Sequence, residues 1–279
     1  MTDDNAMLSM LSARSFLFVP GHQPARYAKA AAAQADMVCI DWEDAVPASD
    51  RPAARLATLG FLPGADPQAR FGVRINSLHT ADGLIDLLAL REAPVPPAWV
   101  MLAKVESADT IEQAAELLPG MPFMALLESA RGLQQAVAIA HAHPQLMALM
   151  LGGADLAADL RCDFAWEPLL HARCTLVAAA ASAAVAVFDV PFLALDDPAG
   201  ALVETRRVAA LGFTGKAAVH PSQVAAIHQG MAPSAAALAQ ARRVVAAAAD
   251  NTGAIRLDGR LVDRPVVLAA QRLLRRASD

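Results

Sequence analysis

The chain has 279 residues, 56% of them hydrophobic, and a formal net charge of −5, with a mean hydropathy of +0.35. This length can bury a large core, and α/β barrels of this size are common as single units. The positive hydropathy comes from alanine-rich stretches broken by charges, without the run of about 18 apolar residues that a membrane span needs, and the acidic balance without a basic run argues against nucleic acid as the main partner.

The opening MTDDNAMLSM is acidic where a leader would be basic, so a cytoplasmic location is expected. Cys39, Cys162 and Cys174 are odd in number and lack metal-ligand spacing. They read as small buried hydrophobes in a reducing compartment.

In chain order, short β-type runs at 15–19, 37–41, 71–75, 99–104, 123–127, 148–152, 186–189 and 215–220 alternate with helical stretches. The helical stretches fall at 24–34, 81–91, 108–118, 131–141, 167–184 and 198–211. Strand and helix in strict alternation imply parallel pairing, and near-continuous apolar strands imply a sheet covered on both faces. Eight such units in about 220 residues suit a closed TIM-type (β/α)₈ barrel over 14–230 better than an open doubly wound sheet. An open sheet would carry a glycine fingerprint after its first strand, and VPGHQPAR is not one.

Beyond Gly230 the pattern changes to a helix at 234–249, a turn-rich stretch NTGAIRLDGRLVDRP and a last helix at 266–276. Asp258-Gly259 between two β-like runs is a hairpin signal. This helix-hairpin-helix extension, 231–279, is too small to hold a core alone and is expected to pack on its own barrel or a neighbour's.

In such a barrel the ends of the strands face the active site. The polar residues there are Asp41, Glu43 and Asp44, Arg74 and Asn76, Lys104 and Glu106, Glu128, Asp155, Asp189 and His220. Glu128 ends the run FMALL and Asp155 follows MLGGA, so two carboxylates project from adjacent strands. Hard oxygen ligands with room for water suit Mg²⁺; helix capping or pairing with Arg131 explains them equally well. Arg74, a cation in an apolar strand, needs an anion: a substrate carboxylate or enolate gripped by its planar fork, or a buried Asp41 or Glu43. Of the three acids at 41–44 at most two face the mouth, and orienting Arg74 or metal-bound water suits them better than direct ligation. Lys104 and Glu106 read as an ion pair; a Schiff-base lysine is redundant beside a metal. His220 before Pro221 reads as structural.

RSFLFVPG (14–21), CIDWEDAV (39–46), VRIN (73–76), LAKVES (102–107), LLESARG (126–132), GGADLAADL (152–160) and GFTGKAAVHPSQ (212–223) occur in an order that resembles the citrate lyase beta subunit and the malyl-CoA and citramalyl-CoA lyases of the HpcH/HpaI aldolase superfamily. The resemblance covers nearly the whole chain. It implies Mg²⁺, or Mn²⁺ in its place, held by Glu128 and Asp155, with Arg74 gripping a 2-keto acid or thioester enolate. It also places Asp263, within LDGRLVDRP, where relatives carry an acid inserted into a neighbouring subunit's site; the residues alone make Asp263 a turn or N-cap residue. A homo-oligomer, trimer or hexamer, follows.

Ala154-Asp155 stands where many relatives have Glu-Asp, and Arg161 where many have Gly. The form GGADL is nearer to the metal-dependent hydroxy-acid aldolases of the same superfamily, whereas LLESARG, the DWEDAV stretch and the C-terminal acid favour the thioester lyases. The expected activity is cleavage of a citramalyl-CoA or malyl-CoA type substrate to acetyl-CoA and a 2-keto acid. Arg26 and Lys29, after the first strand, are the candidates for the CoA phosphates, against a reading as solvated helix charges. The alternatives are a citrate lyase beta subunit acting on a citryl-carrier protein, a hydroxy-oxo-acid (pyruvate) aldolase, and a barrel that only binds or assembles.

Overall fold

The computed structural model describes residues 10, 12–249 and 253–275. Eight parallel strands close on themselves in sequence order: β1 Ser15–Pro20, β2 Met37–Asp41, β3 Phe71–Ile75, β4 Trp99–Leu102, β5 Phe123–Leu127, β6 Leu146–Leu151, β7 Ala186–Asp189 and β8 Gly215–Ala218. β1 pairs with both β2 and β8, so the barrel has no edge.

Alternation along the strands divides the core in two. Val38 and Ile40, Val73 and Ile75, or Ala125 and Leu127 pack outward beneath the helices. Met37 and Cys39, Met101, Met124 and Leu126 fill the barrel interior with Phe16, Trp99 and Phe188. Gly72 is glycine because a Cβ there would lie 2.2 Å from the Trp99 ring, which occupies that level of the interior. The same parity puts Asp41 above Cys39, Arg74 above Gly72 and Glu128 above Leu126, at the C-terminal mouth.

Helix starts are set by local chemistry. The side chains of Thr80, Ser129, Asp197 and Ser234 each accept from a backbone N–H three residues on, worth about 1 kcal/mol apiece. Burial of large side chains, roughly 1.5–3 kcal/mol each, then decides how the helices pack. The expected helix at 131–141 is broken into Ala130–Gln134 and Ala136–Ala140. That at 24–34 is reduced to a 3₁₀ turn and the short helix Tyr27–Ala31. Three helices absent from the sequence reading, Arg51–Phe61, Gly153–Leu160 and Val224–Met231, complete the outer ring.

The barrel closes over a buried network. Lys216 on β8 is wholly buried and its Nζ donates to Asp189 Oδ2 (2.8 Å), Glu204 Oε1 (2.8 Å) and the Val190 carbonyl (2.5 Å). Arg173 Nε donates to the other Asp189 oxygen (2.9 Å). Asp189 is thereby consumed in holding β7 to β8. His220 caps the turn Pro221–Gln223, its side chain accepting from Ser222 N.

After the barrel come helix Ala235–Ala248, the antiparallel pair β9 Ile255–Leu257 and β10 Arg260–Val262, and helix Arg264–Arg275. These elements pack chiefly on one another around Ala241, Val244, Val262 and Ala270. Among the described residues no helix is long and apolar enough to cross a membrane. The cysteines are free, with Cys39 buried but Cys162 only partly so and Cys174 exposed, which corrects the expectation of three buried thiols.

Candidate active site

Asp41 and Arg74 are register partners on β2 and β3. Arg74 Nε donates to Asp41 Oδ1 at 2.7 Å and Nη2 to Oδ2 at 2.6 Å, while Nη1 lies 3.2 Å from Glu43 Oε2. Phe18 lies against the guanidinium, its ring centroid 5.1 Å from Cζ. Burial would lower the Arg74 pKa, but Asp41 and then Glu43 outweigh it and hold it above the ordinary value. The sequence left Arg74 open to a substrate anion or a buried acid; in the structure the acids take it.

Glu43 carries a second cation. Lys104 Nζ donates to Glu43 Oε1 and reaches Asp44 Oδ1 at 3.3 Å. The expected Lys104–Glu106 pair does not form: Glu106 accepts from Ser129 Oγ at 2.7 Å and lies 3.9 Å from Arg131. Burial pushes the Glu43 carboxyl up against the opposing pull of Arg74 and Lys104.

Glu128 stands one residue past β5, buried, with Oε1 accepting from the Lys104 backbone N–H at 2.8 Å. Gly152 makes room for it: a Cβ there would meet Glu128 Cβ at 2.3 Å and Oε2 at 2.8 Å. Asp155, in the first turn of helix Gly153–Leu160, is exposed and lies close enough to Glu128 to raise its pKa. Burial, that contact with Asp155 and the charge of Glu43 together raise the Glu128 pKa to about 8. Two carboxyls this close, one of them buried, form a site short of positive charge. Among the described residues no group of three or more His, Cys, Asp or Glu is gathered as a metal cage. A two-carboxylate site leaves positions for water and substrate, as Mg²⁺ prefers.

Arg26 and Lys29 are solvent-exposed after β1. The structure does not bring Asp263 into this cluster: it opens helix Arg264–Arg275, accepting from Val266 N through Oδ1 at 3.5 Å and from Val267 N through its carbonyl at 3.1 Å. The N-cap reading of Asp263 therefore holds within its own chain. A cavity of about 490 Å³ at the opposite rim, lined by Met10, Phe71, Trp99, Pro122 and Met147 among others, lies away from this acid cluster.

The signature of the HpcH/HpaI aldolase/citrate lyase family matches residues 14–221. The chain belongs to this family. It is a carbon–carbon lyase of the citrate lyase beta subunit-like type. A citrate lyase subunit beta-like protein of Mycobacterium tuberculosis is 41% identical over 271 residues, 95% of each chain. An L-malyl-CoA/beta-methylmalyl-CoA lyase of Cereibacter sphaeroides is 33% identical, covering 95% of this chain and 94% of its own. The crystal structure of protein CitE from M. tuberculosis in complex with magnesium, acetoacetate and coenzyme A superposes with a TM-score of 0.86 at 39% identity, covering 96% of this chain and 100% of that one.

Reading the sequence alone missed the Lys104 link to Glu43 and Glu128 and the requirement for glycine at 152. Neither follows from strand spacing; the Gly152-Gly153 pair directly after an apolar strand was the available signal for close approach.

Proposed function

We propose that this protein is a Mg²⁺-dependent lyase that cleaves a 3-hydroxy-acyl-CoA carboxylate of the citramalyl-CoA or malyl-CoA type to acetyl-CoA and a 2-keto acid. The observation that carries this reading is the buried Glu128 carboxyl beside Asp155, next to a mouth lined by Arg74, Glu43 and Lys104. The M. tuberculosis structure with magnesium, acetoacetate and coenzyme A and the malyl-CoA lyase relative support it.

Glu128 and Asp155 would hold the metal, with Mn²⁺ as an alternative occupant. When bound, Mg²⁺ supplies Lewis-acid polarisation of the substrate hydroxyl and carboxylate. Arg74 has five N–H donors, two of them given to Asp41, while Nη1 is ion-paired with Glu43. Its remaining donors serve the substrate carboxylate or the developing enolate oxygen, and Asp41 and Glu43 fix the guanidinium plane for that contact. The hydroxyl proton passes to a carboxylate of the mouth, the C–C bond breaks with its electrons entering the thioester carbonyl, and the enolate carbon takes a proton to give acetyl-CoA.

Asp263 is the proton donor in this reading, delivered by a neighbouring copy in a trimer or hexamer. The extension, 231–279, is then the arm and the barrel, 14–230, the body. Leu261, Val266 and Leu268, close to Asp263 in the chain, are exposed apolar groups that a neighbouring barrel would cover. Arg26 and Lys29 would meet the phosphates of CoA in this reading.

The test is release of acetyl-CoA from citramalyl-CoA and malyl-CoA, with Mg²⁺ or EDTA, by wild type, Glu128→Ala and Asp263→Ala. Metal-dependent release lost in both variants supports the reading. No release from either thioester, with activity on free hydroxy-oxo acids or a citryl-carrier protein, overturns it.

A further inference from the structure

Lys104 stands where the two halves of the mouth meet. Six described non-glycine residues have positive φ: Gln34, Arg70, Lys104, Arg161, Ala184 and Asp258. Arg70, Arg161 and Ala184 close 3₁₀ or α-helices, Gln34 ends the turn after helix Tyr27–Ala31, and Asp258 lies in the hairpin turn. At each of these a left-handed residue is ordinary punctuation. Lys104, with φ +54°, comes two residues past β4 at the catalytic rim instead.

Parity explains what the conformation does. Met101 and Ala103 face the barrel interior and Val100 and Leu102 the helices, so a continued strand would send Lys104 outward with Leu102. The left-handed backbone breaks that alternation. Its N–H points to Glu128 Oε1 at 2.8 Å, and its Nζ reaches Glu43 and Asp44. Glu43 in turn lies 3.2 Å from Arg74. One residue thus ties the carboxyl of Glu128 to the cluster that orients Arg74. Its side chain is 43% exposed, so the core has no use for it.

We propose that Lys104 is a positioning residue that sets Glu128 through its backbone and Glu43, hence Arg74, through its ammonium. Sparsely populated backbone conformations gather at functional sites because the surroundings over-determine them. The proposal rests on reading Glu128 as a metal ligand.

The two roles separate by substitution. Lys104→Met removes the ammonium and keeps a side chain that must adopt the same backbone; Lys104→Pro, locked at φ of about −65° and without an N–H, also removes the left-handed turn and the donor to Glu128; Lys104→Arg keeps the charge. Mg²⁺ binding to the full-length protein is measured by titration calorimetry, and turnover of the thioester separately. We expect Lys104→Pro to weaken Mg²⁺ binding about tenfold, the range for losing a group that orients a ligand. Lys104→Met should hold Mg²⁺ at least as tightly as wild type, with one positive charge fewer nearby, yet lose kcat about tenfold at unchanged KM. Lys104→Arg should recover most of it.

Wild-type Mg²⁺ affinity in Lys104→Pro, or wild-type kcat in Lys104→Met, overturns the assignment. So does an equal loss in all three variants, which would mark a general structural role. A wild-type protein that binds no Mg²⁺ overturns the metal reading and this assignment with it, whereas binding by wild type and variants alike overturns this assignment alone.

Discussion

Asp41 lies opposite Arg74 in the register between β2 and β3 and receives it through both carboxylate oxygens, at 2.7 and 2.6 Å. The pair is a product of strand register, and both partners are largely withdrawn from solvent, with side-chain exposures of 2% and 12%. Arg74→Met leaves Asp41 buried without its cation and Glu43 with Lys104 alone. We expect a loss of about 3 kcal/mol, the scale for removing one partner of a buried pair, together with loss of turnover. Urea unfolding reads the first and acetyl-CoA release the second; a variant as stable as wild type refutes the structural half of this argument.

The Glu128 carboxyl, raised from an ordinary 4.5 to about 8, gives the metal-free protein a pH dependence of defined sign. The native state holds this proton more tightly than the unfolded chain, so its contribution is fully present below about pH 4.5 and is lost as pH rises towards 8. In EDTA the wild type should lose stability over that window by at most about 1.4 kcal/mol per pH unit from this group. Glu128→Gln should flatten the slope, and Mg²⁺ should restore stability at pH 8. Calorimetry in buffers of different ionisation enthalpy should show Mg²⁺ binding release about one proton at pH 7 and almost none at pH 9. Equal release at both would place the raised acid elsewhere.

Gly152→Ala puts a methyl group 2.3 Å from Glu128 Cβ. Displacement of Glu128 should weaken Mg²⁺ binding about tenfold, with about 1–3 kcal/mol of destabilisation from overpacking. Gly64→Ala, where a Cβ meets nothing within 4 Å, is the control, expected within about 0.5 kcal/mol of wild type.

If Asp263 acts in a neighbour's mouth, two dead proteins should make a live one. Mixing Glu128→Ala with Asp263→Ala under conditions that exchange subunits should restore acetyl-CoA release, since some sites then combine an intact Glu128 with an intact Asp263. No recovery after demonstrated exchange would confine Asp263 to its N-cap contacts with Val266 and Val267.

Much of the barrel was legible in the sequence because its signals are local. Apolar runs such as FMALL and LMALML, separated by alanine-rich helices, leave few ways to cover both faces of a sheet, and strand ends were placed within a few residues. The misplaced pieces were those that tertiary contacts decide. β4 stops at Leu102 because the backbone turns left-handed at Lys104, whereas the helix at 51–61, whose Arg55 donates to buried Asp86 at 2.5 Å, went unread although RPAARLATLGF is rich in helix formers.

Sequence alone determined the family, the eight strands and the list of polar residues at their ends, since each follows from residue type and period. Only the tertiary structure decided how those residues divide their labour. It assigned Arg74 to Asp41 and Glu43, Lys104 to Glu43 rather than Glu106, and Asp189 to Lys216 and Arg173. Charge pairing is chosen by distance across neighbouring strands, and strand register, which sets those distances, is a property of the closed barrel rather than of any one segment.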